Sequence, residues 1–182
     1  MRYADALRHP RHFSTAISEF FAKDANINVV HPFNEIQSAD AFFLKFMAPL
    51  QQAFEGLYRR DYIFMTGQFE GKDWISSTGY YVGRFAKDWI GIKATDTLCY
   101  LRYGEFHQGK NGKVVESYIY LDIPELMIAC NEWPLKMGPG LSRGYTGLIQ
   151  GPASCDGVIA KASDPNEGQR SYEIVTNMLN EL

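Results

Sequence analysis

Cysteine is scarce in this sequence: Cys99, Cys130 and Cys155 are odd in number and far apart. That usage argues against a disulfide framework or a CxxC metal knuckle, and makes a reducing cytoplasm the expected compartment. Concentrated positive charge is lacking too. Eighteen Lys and Arg face 21 Asp and Glu for a net charge of −3, and no basic cluster stands out. Binding along a phosphate backbone needs such a cluster, so nucleic acid is not an expected partner. Long hydrophobic runs are also missing. No segment is long enough to span a bilayer, and the opening "MRYADALRHPRHF" lacks the apolar core of a signal peptide, so a membrane is not expected either.

Motifs for cofactors are equally thin. In "HPRH", His9 and His12 lie close, but Pro10 breaks any helical face and no acidic third ligand follows. "GQFEGK" is one residue short of a phosphate loop and lacks its following Ser or Thr. "GPGLSRG" has the wrong spacing for a dinucleotide fingerprint and follows no strand. No Cys or Ser has the context of a nucleophilic triad. Neither metal nor organic cofactor is expected.

What the chain does have is apolar bulk: 46% of its residues are hydrophobic and 14% aromatic. A length of 182 residues suits one globular domain with a sizeable core. We read 1–182 as a single domain, its core at about 13–130, followed by an irregular segment and a C-terminal helix over 131–182. "FSTAISEFFAK" places Phe13, Ala16, Ile17, Phe20 and Phe21 on one helical face, with Ser14 positioned as N-cap. A short strand at Asn26–Val30 stops at Pro32. "SADAFFLKFMAPLQQAFEGL" predicts a second helix capped by Ser38, its stripe running from Phe43 to Leu57, with Pro49 forcing a kink. From Tyr58 to Asp122 the period changes to that of strands, and Gly79, Gly83 and Gly104 predict bends in a strongly curved sheet. "SYEIVTNMLNEL" predicts a closing helix. Helices followed by an antiparallel sheet make an α+β fold, in which the sheet wraps the N-terminal helices as a cone.

The stretch "KVVESYIYLDIPELM" concentrates the functional question. With period 2, Val115, Ser117, Ile119 and Leu121 share one face; Glu116, Tyr118, Tyr120 and Asp122 share the other. In Asp122-Ile123-Pro124-Glu125 the acid suits an N-cap, with Pro in the first turn and Glu at N3. It equally suits a strand-end carboxylate, partly desolvated by aromatics, that takes a proton α to a carbonyl. "KNGK" signals a two-residue type I′ turn. That turn pairs Lys110 with Lys113 and His107 with Glu116, which places Tyr103, Glu105 and His107 on the face of Asp122. A bulge would exchange them for Tyr100 and Arg102. A lone His near a hairpin end also fits plain solvent exposure. Arg102 and Glu116 are candidates to pair within the sheet; alternatively Arg102 orients an acidic group of a substrate. Trp74, Tyr80, Tyr81, Trp89, Tyr118 and Tyr120 divide between core and pocket wall.

The elements "GYYVGRF", "DWIGIKAT", "LRYGEF", "GKVVE" and "YLDIPELM", in this order over roughly 74–130, resemble the SnoaL-like polyketide cyclases of the nuclear transport factor 2-like (NTF2-like) superfamily. Asp96 departs from that pattern where Gly is common, and Tyr80 where His is frequent. The resemblance implies a cone-shaped α+β barrel, dimeric, with a cofactor-free pocket for a small hydrophobic or polyketide-like molecule. It implies a lyase, isomerase or cyclase that closes rings by aldol-type proton transfer. Asp122 would be the acid–base group and His107 its polar assistant, with Tyr118, Tyr120, Tyr80, Trp74, Tyr103 and Arg102 toward the substrate. The alternative is a non-catalytic binding or assembly module of the same fold, with Asp122 only a cap. A homodimer packed sheet to sheet is expected, the C-terminal helix reaching over its own barrel or the partner's. The tail from Pro152 onward also resembles the inter-domain region of tandem relatives.

Overall fold

The computed structural model describes residues 13–135 and 164–182. The expectations for "HPRH", "GPGLSRG" and Cys155 lie outside these residues. Helix α1, Phe13–Phe20, buries Phe13, Ala16 and Ile17 along one stripe. Ser14 lies inside its first turn, and Phe21 already belongs to strand β1, Phe21–Val29. The apolar spacing that favoured continued helix at Phe21 is met by sheet pairing with Val114 instead. Lys113 helps end α1, its Nζ donating to the carbonyl of Ser18 at 3.4 Å.

Strand β2, Asn34–Gln37, returns antiparallel to β1. Helix α2 begins at Ala39–Phe42, where Ser38 Oγ accepts the Ala41 N–H at 3.2 Å. It continues through a π-helical turn, Phe43–Met47, into Ala48–Ala53. The wider turn lies just before Pro49, and Ala48 N–H reaches back five residues to the Phe43 carbonyl. A π turn absorbs the donor that Pro49 lacks, so the helix survives its proline. Leu57, expected on that helix, lies instead in β3, Phe54–Phe69.

Strands β4 (Lys72–Phe85), β5 (Leu98–Lys110) and β6 (Lys113–Leu121) complete one six-stranded sheet, ordered β2-β1-β6-β5-β4-β3. All neighbours are antiparallel except β1 and β6. The sheet is curved and unclosed. On its concave side Phe21, Ile27, Leu101, Ile119 and Leu121 meet Phe42, Phe46 and Leu50 of α2 in the main core. Helix α3, Ile123–Ala129, follows β6 directly and buries Leu126. Helix α4, Pro165–Asn180, has no buried residue. Cys99 and Cys130 are buried free thiols. No helix of the described residues is long and apolar enough to cross a membrane.

Candidate functional site on the concave face

The β5–β6 turn forms as its sequence demands, with Asn111 at φ 53° and Gly112 at φ 74°, and Lys110 opposite Lys113. One residue later the ladder slips. Gly109 faces Val114 while Gln108 faces Glu116, so Val115 is an extra residue on β6. The bulge moves His107 opposite Ser117, Glu105 opposite Ile119 and Tyr103 opposite Leu121. The expected pairing of His107 with Glu116 is therefore corrected. His107 points into the cone, whereas Asp122 lies on the outer face with Arg102. The two do not share a compartment.

His107 belongs to a buried polar run spanning β3 to β6. Arg59, Asp61, Ser77, Glu105, His107 and Ser117 are each at most 4% exposed, and Tyr103 is 1% exposed. Arg59 Nε donates to Asp61 Oδ1 at 2.8 Å, and its Nη2 to Ser77 Oγ at 2.7 Å and to Glu105. Ser77 donates to Glu105 Oε1 at 2.8 Å. Tyr103 donates its hydroxyl to Asp61 and carries the Arg59 guanidinium over its ring at 4.3 Å. His107 Nδ1 is 2.7 Å from Ser117 Oγ, and Nε2 is 3.2 Å from Glu105 Oε1. Gly79 makes room for this packing: a Cβ there would sit 2.7 Å from the Tyr103 hydroxyl and 2.0 Å from the Arg60 carbonyl.

Burial alone would raise the Glu105 carboxyl, but Arg59 and then His107 outweigh it and hold Glu105 well below the usual carboxylate range. Burial pushes the Tyr103 and Tyr81 hydroxyls far up, so both stay protonated donors. Burial works against the Arg59 charge, yet Glu105 and the neighbouring tyrosines and Asp61 raise it overall. The run thus holds a fixed cation, a fixed anion, neutral hydroxyls and an imidazole between two oxygens. Such a set can accept a proton and stabilise the charge left behind.

Asp122 is engaged otherwise. Its Oδ1 accepts the Glu125 N–H at 3.0 Å as N-cap of α3, with Pro124 in the first turn, and its Oδ2 accepts from Arg102. Arg102 also lies 3.8 Å from Glu125, so the expected Arg102–Glu116 pair does not form. Glu116 accepts from the Tyr118 hydroxyl at 2.8 Å. A hollow of about 470 Å³ opens beside this group, lined by Thr78, Arg102, Tyr103, Gly104, Tyr120, Leu121, Asp122 and Pro124. Tyr80 is fully buried on the same outer side with Tyr62, Val82 and Tyr100, and burial raises its hydroxyl to about 12. A larger groove of about 620 Å³ is lined by Met65, Phe69, Trp74, Phe106, Tyr118 and Tyr120. Of the expected residues, His107 and Tyr103 meet inside the cone. Asp122, Arg102, Tyr118, Tyr120, Tyr80 and Trp74 are all on the outer face.

Arg59, Asp61 and Ser77 were not anticipated as site residues. For Arg59 and Asp61 the signal was present in "YRRDY", where alternate residues of a strand put two charges on the face that Phe54 and Leu57 leave apolar; Ser77, on β4, carried no such signal. Asp96, the departure from a common Gly, has φ 58° and pairs with Arg84, so the backbone there takes the conformation that Gly adopts freely. Among the described residues no group of three His, Cys, Asp or Glu could hold a metal ion.

No protein-family model matches the chain, and no curated protein does. Solved structures do. The proposed hydroxylase AclR from Streptomyces galilaeus is 20% identical at a TM-score of 0.60, with 73% of this chain and 82% of that one covered. A proposed SnoaL-like polyketide cyclase from Jannaschia sp. CCS1 is 16% identical at 0.55, covering 67% and 80%. An NTF2-like protein from Burkholderia thailandensis is 18% identical at 0.53, covering 70% and 88%. The fold is that of SnoaL-like polyketide cyclases and NTF2-like proteins, as the sequence motifs implied.

Proposed function

We propose that this protein is a small-molecule lyase, isomerase or cyclase that works by proton transfer between side chains and substrate inside the cone. One observation carries the reading: the linked, buried run of Arg59, Asp61, Tyr103, Glu105, His107 and Ser117. Burying charges costs several kcal/mol each, and apolar residues of similar volume would be as stable or more so. A domain needing only stability gains nothing from this arrangement, whereas a proton-transfer site needs it. In this reading His107 takes a proton α to a carbonyl, and Glu105 stabilises the resulting imidazolium. Arg59 and the Tyr103 hydroxyl face the developing enolate oxygen. Asp122 caps α3 and holds Arg102. The substrate class is hydrophobic and polyketide-like, in keeping with the phenylalanines that share the interior.

The test needs no natural substrate. Exchange of the acidic C–H of 1-phenyl-1,3-butanedione into deuterium oxide, followed by NMR, reads proton abstraction directly. The expected result is acceleration by the wild type, a fall on the order of 100-fold in His107→Gln, and retention in Asp122→Asn. Loss of exchange in Asp122→Asn with retention in His107→Gln would return the acid–base role to Asp122.

A second reading rests on one contrary observation. Phe13, Phe21, Phe42, Phe46 and Phe54 are all at most 2% exposed, while the larger groove described above opens on the outer face. A filled cone favours a binding or assembly module. Absence of exchange in the wild type, over a panel of diketones, would select that reading.

A further inference from the structure

Asp61 uses only half of its carboxylate. The side chain is 1% exposed, and its Oδ1 accepts from Arg59 Nε at 2.8 Å and from the Tyr103 hydroxyl. Its Oδ2 is hidden from solvent and finds no donor among the described residues. A buried acceptor without a donor has lost its hydration and gained nothing in return, so such an atom calls for an explanation. The strands show why the chain leaves it open. Opposite Asp61 on β4 stands Gly79, which has no side chain to offer. Ser77, the next inner-face residue of β4, donates its hydroxyl to Glu105 instead. Past Asp61 the β3 ladder shifts at Tyr62, and the inner face then leaves the core. Phe64, opposite Ser77, is half-buried, and Thr66, opposite Ile75, is exposed. Asp61 is therefore the last buried residue on the inner face of β3 before that face opens.

We infer that Asp61 Oδ2 reads a hydroxyl group of the substrate, so that the site selects carbonyl compounds bearing a phenolic or enolic hydroxyl. The inference rests on the cone interior being the site of proton transfer. One open acceptor oxygen calls for one donor. A hydroxyl brings a single hydrogen, whereas an ammonium brings three and would strand two of them among the phenylalanines of the interior. Arg59 and Tyr103 fix the carboxylate through Oδ1, so the direction of Oδ2 is set before a ligand arrives. A substrate without the hydroxyl would displace water and leave Oδ2 empty. A site built this way rejects the analogue lacking its hydroxyl far more strongly than an apolar pocket rejects a missing methylene.

The probes are 1-phenyl-1,3-butanedione, its 3-hydroxy and 4-hydroxy ring derivatives, and the methoxy counterparts of those two. Each is titrated into the full chain by calorimetry, with exchange into deuterium oxide followed in parallel. Wild type should bind the better hydroxylated isomer on the order of 10-fold more tightly than the unsubstituted diketone. It should also bind that isomer more tightly than its methoxy counterpart, whose oxygen can only accept. Asp61→Asn keeps an oxygen for Arg59 and Tyr103 but turns an amide N–H toward the ligand. The variant should therefore lose the preference for hydroxyl over methoxy. Equal wild-type affinities across the set, or no binding of any member, would overturn the inference whether or not the variant folds. A hydroxyl preference that persists in Asp61→Asn would overturn it too, by assigning the hydroxyl to another group. The two readouts separate this inference from the reading beneath it. Hydroxyl-dependent binding without exchange supports Asp61 as the reader and removes the proton-transfer role, whereas exchange without discrimination does the reverse.

Discussion

The two faces of the sheet handle polar groups in opposite ways. On the concave face Arg59, Asp61, Glu105 and His107 are within 4% of complete burial, and each is bonded to a neighbour on the same face. On the outer face the charges are partly wet and several rings are exposed, Tyr80 and Tyr62 apart: Arg102 and Asp122 keep 34% and 26% of their side chains in water, and Tyr120 is 55% exposed. Water screens the outer pairs and makes each of little worth. Inside, nothing replaces a lost partner. The same residue types therefore carry different consequences on the two sides, and the side is the better guide to effect than the residue.

The sharpest break of this contrast is Arg59→Met. It leaves Asp61 and Glu105 buried without their cation, which costs about 3–5 kcal/mol. Urea unfolding should show that loss. Arg84→Met, on the outer side between Glu55 and Asp96, should move the same transition by no more than about 0.5 kcal/mol.

Acid offers a gentler probe of the inner face. Glu105 has a depressed carboxyl, so its ionisation stabilises the fold fully above its unfolded value, about 4.3. That contribution is lost as pH falls below about 4, toward the folded value. Wild-type stability should decline steeply over that window. Glu105→Gln should start lower and decline less steeply, and an equal slope in both proteins would show that another carboxylate dominates acid unfolding.

Asp122, on the outer face, is half-buried. Asp122→Ala should lower stability by about 1 kcal/mol through the lost cap, a fall in Tm of roughly 2–4 °C. Asp122→Asn keeps the cap and should fall less, the remainder reading the half-wet pair with Arg102. Smallest of all is Tyr118→Phe. It removes an exposed hydrogen bond to Glu116 and should stay within about 0.5 kcal/mol by calorimetry.

Local chemistry made much of this molecule readable from its sequence. Ser38 caps α2 as expected, Asn111-Gly112 turns the hairpin, and Asp122 with Glu125 starts α3, because each signal depends on residues within four positions. The α+β cone and its kinship in fold were legible through the strand motifs. The face on which the acid sits was not. It depends on Val115, whose β-branched side chain reads as ordinary strand and gives no local sign of a bulge. Tyr103, Glu105 and His107 were correctly grouped because one unbroken strand carries them, yet their partners Arg59 and Asp61 come from a strand two ladders away. Pairing across strands is set by the packing of the whole sheet, and no window of sequence contains it.

Val115 has a consequence that reaches past this chain. The β5–β6 hairpin is a ruler with one inserted mark, and everything beyond the mark is read from the opposite side. Two relatives with the same turn and the same Tyr-Leu-Asp ending, differing only in whether that mark is present, would hold the terminal acid in different compartments: one inside the cone on the face of the residue equivalent to His107, the other outside against Arg102. Aligning their letters would score the acids as equivalent. A gain or loss of a single codon here is thus enough to move a carboxylate from one side of the sheet to the other while every neighbouring residue type stays the same.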